Sequence, residues 1–128
     1  MSANPADLRA VVAGNNQKWN DAFNSGDVDA VAALYTRDAT VLPHTHDVIT
    51  GAENIRSFWK AVVDGGFRDH TIEVIDVYGK GDVAYQTARW TATGAGEGGG
   101  RRSFGGSLVT VSERQDDGSW KLRLHIWN

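Results

Sequence analysis

Cysteine is absent from this chain of 128 residues. Its absence excludes disulfide bonds, thiol nucleophiles and thiolate metal sites. Long apolar runs are absent as well, since no stretch approaches the roughly 18 residues that a membrane-spanning helix needs. The first residues lack the basic and apolar regions of a signal peptide. We therefore expect a cytoplasmic protein that does not contact a membrane.

Charge of one sign is not concentrated anywhere along the chain. The 13 basic and 16 acidic residues give a net charge of −3, and the two signs are interspersed. Nucleic acids and anionic membrane surfaces are recognised through basic patches, so we expect neither as a partner. The hydrophobic share of 41% is ordinary for a globular protein, and the length predicts one domain spanning residues 1–128.

Proline is scarce and tryptophan is plentiful, with two prolines and five tryptophans in the chain. An indole ring offers a large contact area, and tryptophan is concentrated in pockets and interfaces. This composition predicts an aromatic pocket or an aromatic interface.

The first half of the chain has the period of amphipathic helices. Apolar residues recur at steps of three and four from Leu8 to Phe23. Gly26 predicts the end of this helix, because glycine readily adopts the left-handed conformation of a C-terminal cap. Asp27 then predicts the cap of a short second helix, which we expect to bury Tyr35.

A strand over residues 39–42 separates these helices from a third one. Pro43 is expected to end the strand. The segment 50–53, Thr-Gly-Ala-Glu, has the spacing of a capping box and predicts the start of the third helix. Residues 64–66, Asp-Gly-Gly, predict its end.

From residue 67 onward the period changes from 3.6 to two. Residues 71–78 and 83–92 predict a hairpin, and residues 101–114 and 120–127 predict two further strands. Helices followed by antiparallel strands predict an α+β domain, with three helices packed on one face of a strongly curved, mainly antiparallel sheet.

The last predicted strand has two different faces. Strict alternation puts Trp120, Leu122, Leu124 and Ile126 on one face and Lys121, Arg123, His125 and Trp127 on the other. Both faces end in large apolar groups, which predicts a strand inside the sheet. The Arg/His pair makes the second face the first candidate for chemistry.

The order of elements and several short segments resemble the NTF2-like superfamily. The similarity is closest to its SnoaL-like, ketosteroid-isomerase-like branch, which includes the DUF4440 and SgcJ/EcaC families. The segments are LYTRDATV at 34–41, GAENI at 51–55, GDVAY at 81–85 and DGSWK at 117–121.

The resemblance implies a cystatin-like cone, in which helices close over a bent sheet around one deep pocket. It also implies a homodimer that packs through the convex face of the sheet. Members of the superfamily include ketosteroid isomerases, polyketide cyclases, epoxide hydrolases and dehydratases, together with non-catalytic binding proteins and assembly domains.

Carrying the catalytic positions of ketosteroid isomerase onto this chain gives no catalytic group. The positions of its two pocket tyrosines fall on Trp19 and on Trp59, which stands beside Phe58. The position of its catalytic aspartate falls on Leu42 or Pro43, and that of its protonated acid falls near Thr110. The resemblance therefore predicts no steroid isomerisation by that mechanism.

The same carry-over implies an aromatic pocket. It places Arg123 and Trp127 on pocket-lining positions, which would also turn His125 inward. Trp19, Trp59 and Trp127 would then surround the cavity. Three indoles suit a small, flat, largely apolar or aromatic organic ligand.

His125 is the leading candidate for proton transfer, because an imidazole needs only a small pKa shift to act near neutrality. Arg123 or Arg89, if inward, could stabilise an enolate or bind a carboxylate. Alternatively, this face is only partly buried, and these side chains meet water or a dimer partner.

His44 and His46 lie in a polar loop just past the strand end where the family has its catalytic aspartate. They could replace it as acid or base, or belong to a solvated loop. A metal site with a third histidine is the weakest alternative, since no carboxylate stands at ligand spacing. We expect no metal and no cofactor.

Two classes of function stay open at this level. One is a cofactor-independent isomerase, cyclase or dehydratase that acts by proton transfer on a carbonyl-bearing polyketide-like or aromatic substrate. The other is a non-catalytic ligand-binding or dimeric assembly module. An epoxide hydrolase is disfavoured, because the expected inward positions supply no Asp-Arg-Asp set.

Overall fold

The described α-helices lie in the first half of the chain and most of the sheet follows them, as the change of period predicts. The computed structural model of the protein describes residues 5–128. In chain order its elements are α1 (Pro5–Asn24), α2 (Val28–Ala32), β1 (Tyr35–Leu42), β2 (Ile49–Thr50), α3 (Ala52–Asp64), β3 (Arg68–Lys80), β4 (Val83–Ala95), β5 (Arg101–Arg114) and β6 (Trp120–Trp127). Within the described range, no helix is long and apolar enough to cross a membrane.

The described strands form one sheet in the order β2-β1-β6-β5-β4-β3. β1 and β6 run parallel, and the other neighbouring pairs run antiparallel. Helix α1 packs against β3, and α3 packs against α2 and β1. The predicted α+β domain with three helices on a mainly antiparallel sheet is confirmed.

The two predicted signals at the end of α1 are confirmed. Gly26 has a φ of 77°, which allows the chain to leave the helix in the left-handed region. The Asp27 side chain accepts a hydrogen bond of 3.1 Å from the Ala30 amide and so caps α2. These two residues turn the chain so that α2 brings the buried Val31 under α3.

Two local predictions are wrong. Tyr35 does not continue the second helix but begins β1, since α2 ends after five residues. The predicted capping box does not form, because Thr50 is paired with Thr40 in β2. Gly51 takes the cap position at a φ of 88° without a side-chain hydrogen bond.

A bulge in β6 changes which residues face the helices. Val111 of β5 lies opposite Leu124, whereas the next residue, Ser112, lies opposite Leu122, so Arg123 has no partner in β5. An extra residue of this kind reverses the alternation of side chains along a strand. The predicted faces of the last strand are therefore wrong: the inward side chains are Trp120 and Leu122 before the bulge and His125 and Trp127 after it.

The inner layer contains a buried polar group as well as apolar residues. Asn16 and Gln86 exchange two amide hydrogen bonds of 2.9 and 2.8 Å. Gln86 also donates to the Thr110 hydroxyl at 3.0 Å. Buried polar groups are costly unless they are paired, and here each has a partner, which fixes α1 in register over β4 and β5.

Candidate functional site

A cavity of about 260 Å³ lies between the helices and the inner face of the sheet. Aromatic and aliphatic side chains form nearly all of its wall. The lining residues are Phe23, Pro43, His44, Thr45, Phe58, Trp59, Val62, Phe67, His70, Trp90, Ala92, Leu108, His125 and Trp127. The volume lies just below the range of about 300–1,000 Å³ typical of drug-sized ligands, so the cavity suits a molecule of one or two rings.

The wall contains no aspartate, glutamate, lysine or arginine among its described residues. Its titratable groups are three imidazoles, of which His44 is exposed at the rim while His70 and His125 lie inside. An ion moved into such surroundings would lose its hydration without gaining a counter-charge. The described wall of the cavity therefore offers no fixed counter-charge to an ion.

Five of the predicted site residues line this cavity: His44, Phe58, Trp59, His125 and Trp127. The rings of Trp59 and Trp127 are stacked with centroids 5.2 Å apart, and Trp59 is also stacked on His125 at 5.9 Å. Their part in binding or catalysis stays a prediction. His44 lies at the rim, on the exposed loop that follows the buried Pro43.

Two other predicted residues lie behind the wall. Trp19 is buried edge-on against Trp59, with ring centroids 4.9 Å apart. Thr110 is buried next to His125 on the neighbouring strand. Both line a second cavity of about 20 Å³, which is too small for an organic ligand. They support the wall and do not form it.

Arg123 does not line the cavity, because the bulge in β6 turns it to the outer face of the sheet. Its guanidinium pairs with the Asp38 carboxylate at 2.8 Å and lies 3.6 Å from that of Glu113. It also donates to the Asp38 carbonyl at 2.6 Å. The predicted role in binding a carboxylate or enolate inside the pocket is thus contradicted by its position.

His46 lies outside the cavity on the exposed loop, with a φ of 73°. It is not one of the residues that line the cavity, and its role as an acid or base stays a prediction. Nowhere in the described part of the chain do three histidine, aspartate or glutamate side chains come together in a way that could hold a metal ion.

His125 is held from behind by a hydrogen-bonded chain. Its Nδ1 lies 2.8 Å from the Tyr35 hydroxyl, which in turn accepts a hydrogen bond of 3.1 Å from the Trp19 indole. Burial, with a further contribution from His70, lowers the pKa of His125 to about 3. Burial also raises the pKa of the Tyr35 phenol above its usual value, although the hydrogen bond from the Trp19 indole acts in the opposite direction. Both groups are therefore neutral at pH 7.

His70 is a site residue that the sequence analysis missed. It lines the cavity near the start of β3, where its ring is stacked on Trp90 at 5.9 Å and lies tilted against Trp19 at 4.6 Å. Burial lowers its pKa to about 4. The signal was present in the alternation of His70 with the half-buried Ile72 and Val74, which puts the imidazole on the inner face.

Trp90 was missed for a similar reason. It alternates with the buried Ala88 and Ala92, so it belongs to the inner face of β4. The three indoles on the wall are thus Trp59, Trp90 and Trp127, with Trp90 in the place expected for Trp19. Phe67, at the end of the α3 to β3 connection, completes the aromatic wall.

The model of the SnoaL-like domain family matches residues 16–122. The chain belongs to the SnoaL-like family. No curated protein shows significant sequence similarity to this SnoaL-like chain. The match includes the C-terminal part of α1, all of α2 and α3 and most of the sheet, but it ends before His125 and Trp127.

Solved structures extend the likeness to the whole fold. A ketosteroid isomerase-like protein from Erwinia carotovora atroseptica has a TM-score of 0.82 at 20% identity, with 94% of each chain covered. A proposed dehydratase of the NTF2-like family from Streptomyces avermitilis has a TM-score of 0.80 at 18% identity, with 97% of each chain covered.

An NTF2-like protein from Novosphingobium aromaticivorans, described as having a cystatin-like fold, has a TM-score of 0.79 at 16% identity. The alignment covers 95% of this chain and 81% of that one. At these identities the comparisons establish the NTF2-like, cystatin-like fold of this SnoaL-like protein and leave its chemistry to the residues of the site.

Proposed function

We propose that this SnoaL-like protein binds a small, flat, uncharged carbonyl compound and acts on it by proton transfer without a cofactor. Its activity would then be that of an isomerase, cyclase or dehydratase on an aromatic or polyketide-like substrate. The observation that carries the proposal is the composition of the cavity wall, in which two neutral imidazoles stand among aromatic rings and no described residue is charged.

The aromatic wall supports the ligand class. Indole and phenyl rings bind flat molecules through large contact areas at low entropic cost, and the 260 Å³ volume limits the ligand to one or two rings. The neighbours described as ketosteroid isomerase-like and as a proposed dehydratase are compatible with carbonyl chemistry in such a cavity.

We expect β-tetralone, a neutral ketone with two fused rings, to quench the intrinsic tryptophan fluorescence saturably at micromolar concentration. β-Naphthoate has a similar shape but carries a charge, and it should bind at least about tenfold more weakly because the wall offers no cation. Trp59→Phe should weaken the binding of the ketone, since the substitution reduces the stacked aromatic surface on the wall.

Trp120→Phe is the matched control for this titration, because Trp120 is not among the residues that line the main cavity. Its binding curve should match that of the wild type. Equal affinity for ketone and carboxylate, or a signal that Trp120→Phe abolishes, would contradict the proposed site.

The outer face of the sheet favours a homodimer as the functional unit. Tyr78 of β3 pairs with Tyr85 of β4, Tyr85 pairs with Val111 of β5, and Val111 pairs with Leu124 of β6. These four apolar residues form a continuous row on the face turned away from the helices, and the two tyrosines are 58% and 40% exposed. A sheet face of this kind can pack against a second copy of itself about a twofold axis.

We therefore expect Tyr85→Glu to shift the protein from dimer to monomer, because it places a charge in the middle of the apolar row. Sedimentation velocity at micromolar protein concentration measures the change. Ala13→Glu, on the exposed side of α1, adds the same charge away from the sheet and should leave the dimer intact. A wild-type protein that sediments as a monomer would contradict the homodimer.

A further inference from the structure

Two asparagines one helical turn apart hold His70 in place. The Asn24 amide accepts a hydrogen bond of 2.7 Å from the His70 backbone N–H and donates one of 3.1 Å to the His70 carbonyl. The Oδ1 atom of Asn20 lies 2.7 Å from Nδ1 of the His70 ring. Both the main chain and the imidazole of His70 are thus fixed to α1.

The bond to Asn20 also decides which ring nitrogen of His70 carries the proton. An amide oxygen can only accept, so Nδ1 of His70 is the donor. The ring is neutral at pH 7, because burial lowers its pKa to about 4. The lone pair of His70 is therefore on Nε2.

The opposite tautomer is set at His125. The Trp19 indole can only donate, and it donates to the oxygen of the Tyr35 hydroxyl. That oxygen could accept a second hydrogen bond, but the buried Tyr35 O–H would then have no acceptor, because Nδ1 of His125 at 2.8 Å is its only other partner among residues 5–128. The Tyr35 O–H therefore donates to Nδ1 of His125. The neutral His125 ring consequently carries its own proton on Nε2.

The two free nitrogens are complementary and belong to the same cavity. Nε2 of His70 is an acceptor and Nε2–H of His125 is a donor, and neither has a hydrogen-bond partner among residues 5–128. Both imidazoles line the cavity, and both contact the ring of Trp19, with centroids 4.6 and 6.0 Å away. A ligand in the cavity would meet one base and one hydrogen-bond donor.

We propose that His70 is the proton acceptor of this site and that neutral His125 is the hydrogen-bond donor to the carbonyl oxygen of an enolisable ketone. This assignment rests on the proposed function and reverses the prediction that His125 moves the proton. The assignment follows from the hydrogen bonds of the two rings, since Nδ1 of each ring is hydrogen-bonded and Nε2 is not. A neutral imidazole serves as an electrophile through its N–H, and a positioned lone pair serves as a general base.

The step needs no oxidant, reductant or second substrate. The C–H bond next to the carbonyl breaks, and its proton goes to Nε2 of His70. The electron pair of that bond forms the C=C bond of an enolate, and the carbonyl π pair moves onto oxygen, which the N–H of His125 stabilises. The proton then returns from His70 to the same carbon or to a conjugated one, which gives exchange or isomerisation.

Asn20, Tyr35 and Trp19 are positioning residues in this scheme, because each acts through a histidine. Long-range nitrogen-proton correlation spectra of the ligand-free protein at pH 7 test it directly. We expect the Nδ1–H tautomer at His70 and the Nε2–H tautomer at His125. Asn20→Ala should give a mixture of tautomers at His70 and leave His125 unchanged. The reverse pair of tautomers would overturn the assignment, whatever the protein binds.

Deuterium exchange at the carbon next to the carbonyl of β-tetralone, followed by proton NMR in D₂O, tests the catalytic roles. His70→Gln should slow the enzymatic exchange at least about 100-fold while the fluorescence titration still shows β-tetralone binding. His46→Gln, which lies outside the cavity, should leave the exchange rate unchanged. Asn20→Ala should reduce the rate less than His70→Gln and serves as a second variant if His70→Gln folds poorly.

The pH profile of the wild-type exchange adds an independent readout. The groups that face His70 are Asn20 from α1, Trp90 from β4, His125 from β6 and the rim residue His44. Neutral His70 is the active form and its pKa is about 4. The rate should therefore be flat between about pH 6 and 8 and fall only as the pH approaches about 4.

The results separate this inference from the proposed function. Undiminished exchange in His70→Gln would overturn the role of His70 and leave proton transfer standing. Binding of β-tetralone without exchange in the wild type would overturn the catalytic roles and leave a binding protein. Failure of neutral ketones to bind would overturn the proposed function and the present assignment with it.

Discussion

Acidification from about pH 7 to about pH 5 should lower the free energy of unfolding by about 4 kcal/mol, and two buried histidines account for the loss. Burial lowers the pKa of His70 to about 4 and that of His125 to about 3, from an ordinary value of 6.5. In the unfolded chain both imidazoles return to water and to ordinary pKa values. The folded protein thus keeps both rings neutral at pH values at which the unfolded chain protonates them.

The sign follows from which state binds more protons. Below about pH 6.5 the unfolded chain takes up one proton on each of these two histidines, whereas the folded protein does not, so stability falls with falling pH. The loss continues until the folded pKa values of about 4 and about 3 are reached. Natural domains have a total stability of only about 5–15 kcal/mol, so the change is large enough to measure easily.

Urea unfolding curves at several pH values between about 7 and 5 measure the effect. His70→Gln and His125→Gln should each remove about half of the pH dependence, because each removes one of the two titrating groups. His46→Gln should leave the dependence unchanged, since that side chain is exposed. Equal stability across this range would show that the two imidazoles become protonated in the folded protein, and the neutral pair proposed for catalysis would then be wrong.

The fold could be predicted because its signals are local. The helical spacing from Leu8 to Phe23, the glycine at Gly26 and the cap at Asp27 each depend on only a few neighbouring residues. The alternation along the strands is equally local. Such signals predict the type and order of elements, and the resemblance to the NTF2-like superfamily then supplied the arrangement of those elements.

The site could be predicted only in part, because its geometry depends on pairing between distant strands. The bulge at Arg123 arises from the register of β6 against β5, and nothing in residues 120–127 alone shows it. Because the bulge was not foreseen, Arg123 was expected inside together with His125 and Trp127. The bulge leaves those two inward and turns the arginine towards Asp38.

His70 shows a different limit of sequence reading. Its position on the inner face follows from alternation, but its importance comes from Asn20 and Asn24, which lie about 50 residues earlier in a helix. On the sequence these two residues are ordinary polar positions of an amphipathic helix. Only the packing of α1 against β3 brings them to the imidazole.

Replacing Trp59 by alanine should cost about 3–5 kcal/mol of unfolding free energy, the range found for removing a buried tryptophan or phenylalanine side chain. Trp59 is only 5% exposed. Its indole makes edge-on contacts with Trp19 and Phe23 and stacks on Trp127, with ring centroids 4.9, 5.9 and 5.2 Å away. Trp59 thus joins the core behind the cavity to the rings on its wall.

Trp59→Phe should cost less than half as much as the alanine variant. It retains an aromatic ring, and the Nε1 atom that it removes is buried without a hydrogen-bond partner among the described residues. Losing a buried donor that has no partner relieves a desolvation cost and sacrifices no bond. Urea unfolding curves of Trp59→Ala and Trp59→Phe measure both costs. Trp120→Ala is the control, because it also removes an indole, but one that is partly exposed. A larger loss in Trp59→Ala than in Trp120→Ala would therefore report the loss of buried packing.

The choice of ligand provides a second measurement on Trp59→Ala. Truncation at Trp59 enlarges a cavity that now holds one or two rings, so the alanine variant should bind a three-ring ketone such as anthrone more tightly than the wild type does. The tryptophan would then limit ligand size as well as hold the wall together. A Trp59→Ala protein that stays folded and gains no affinity for anthrone would show that the surrounding rings collapse into the space, as neighbouring side chains partly do in other cores.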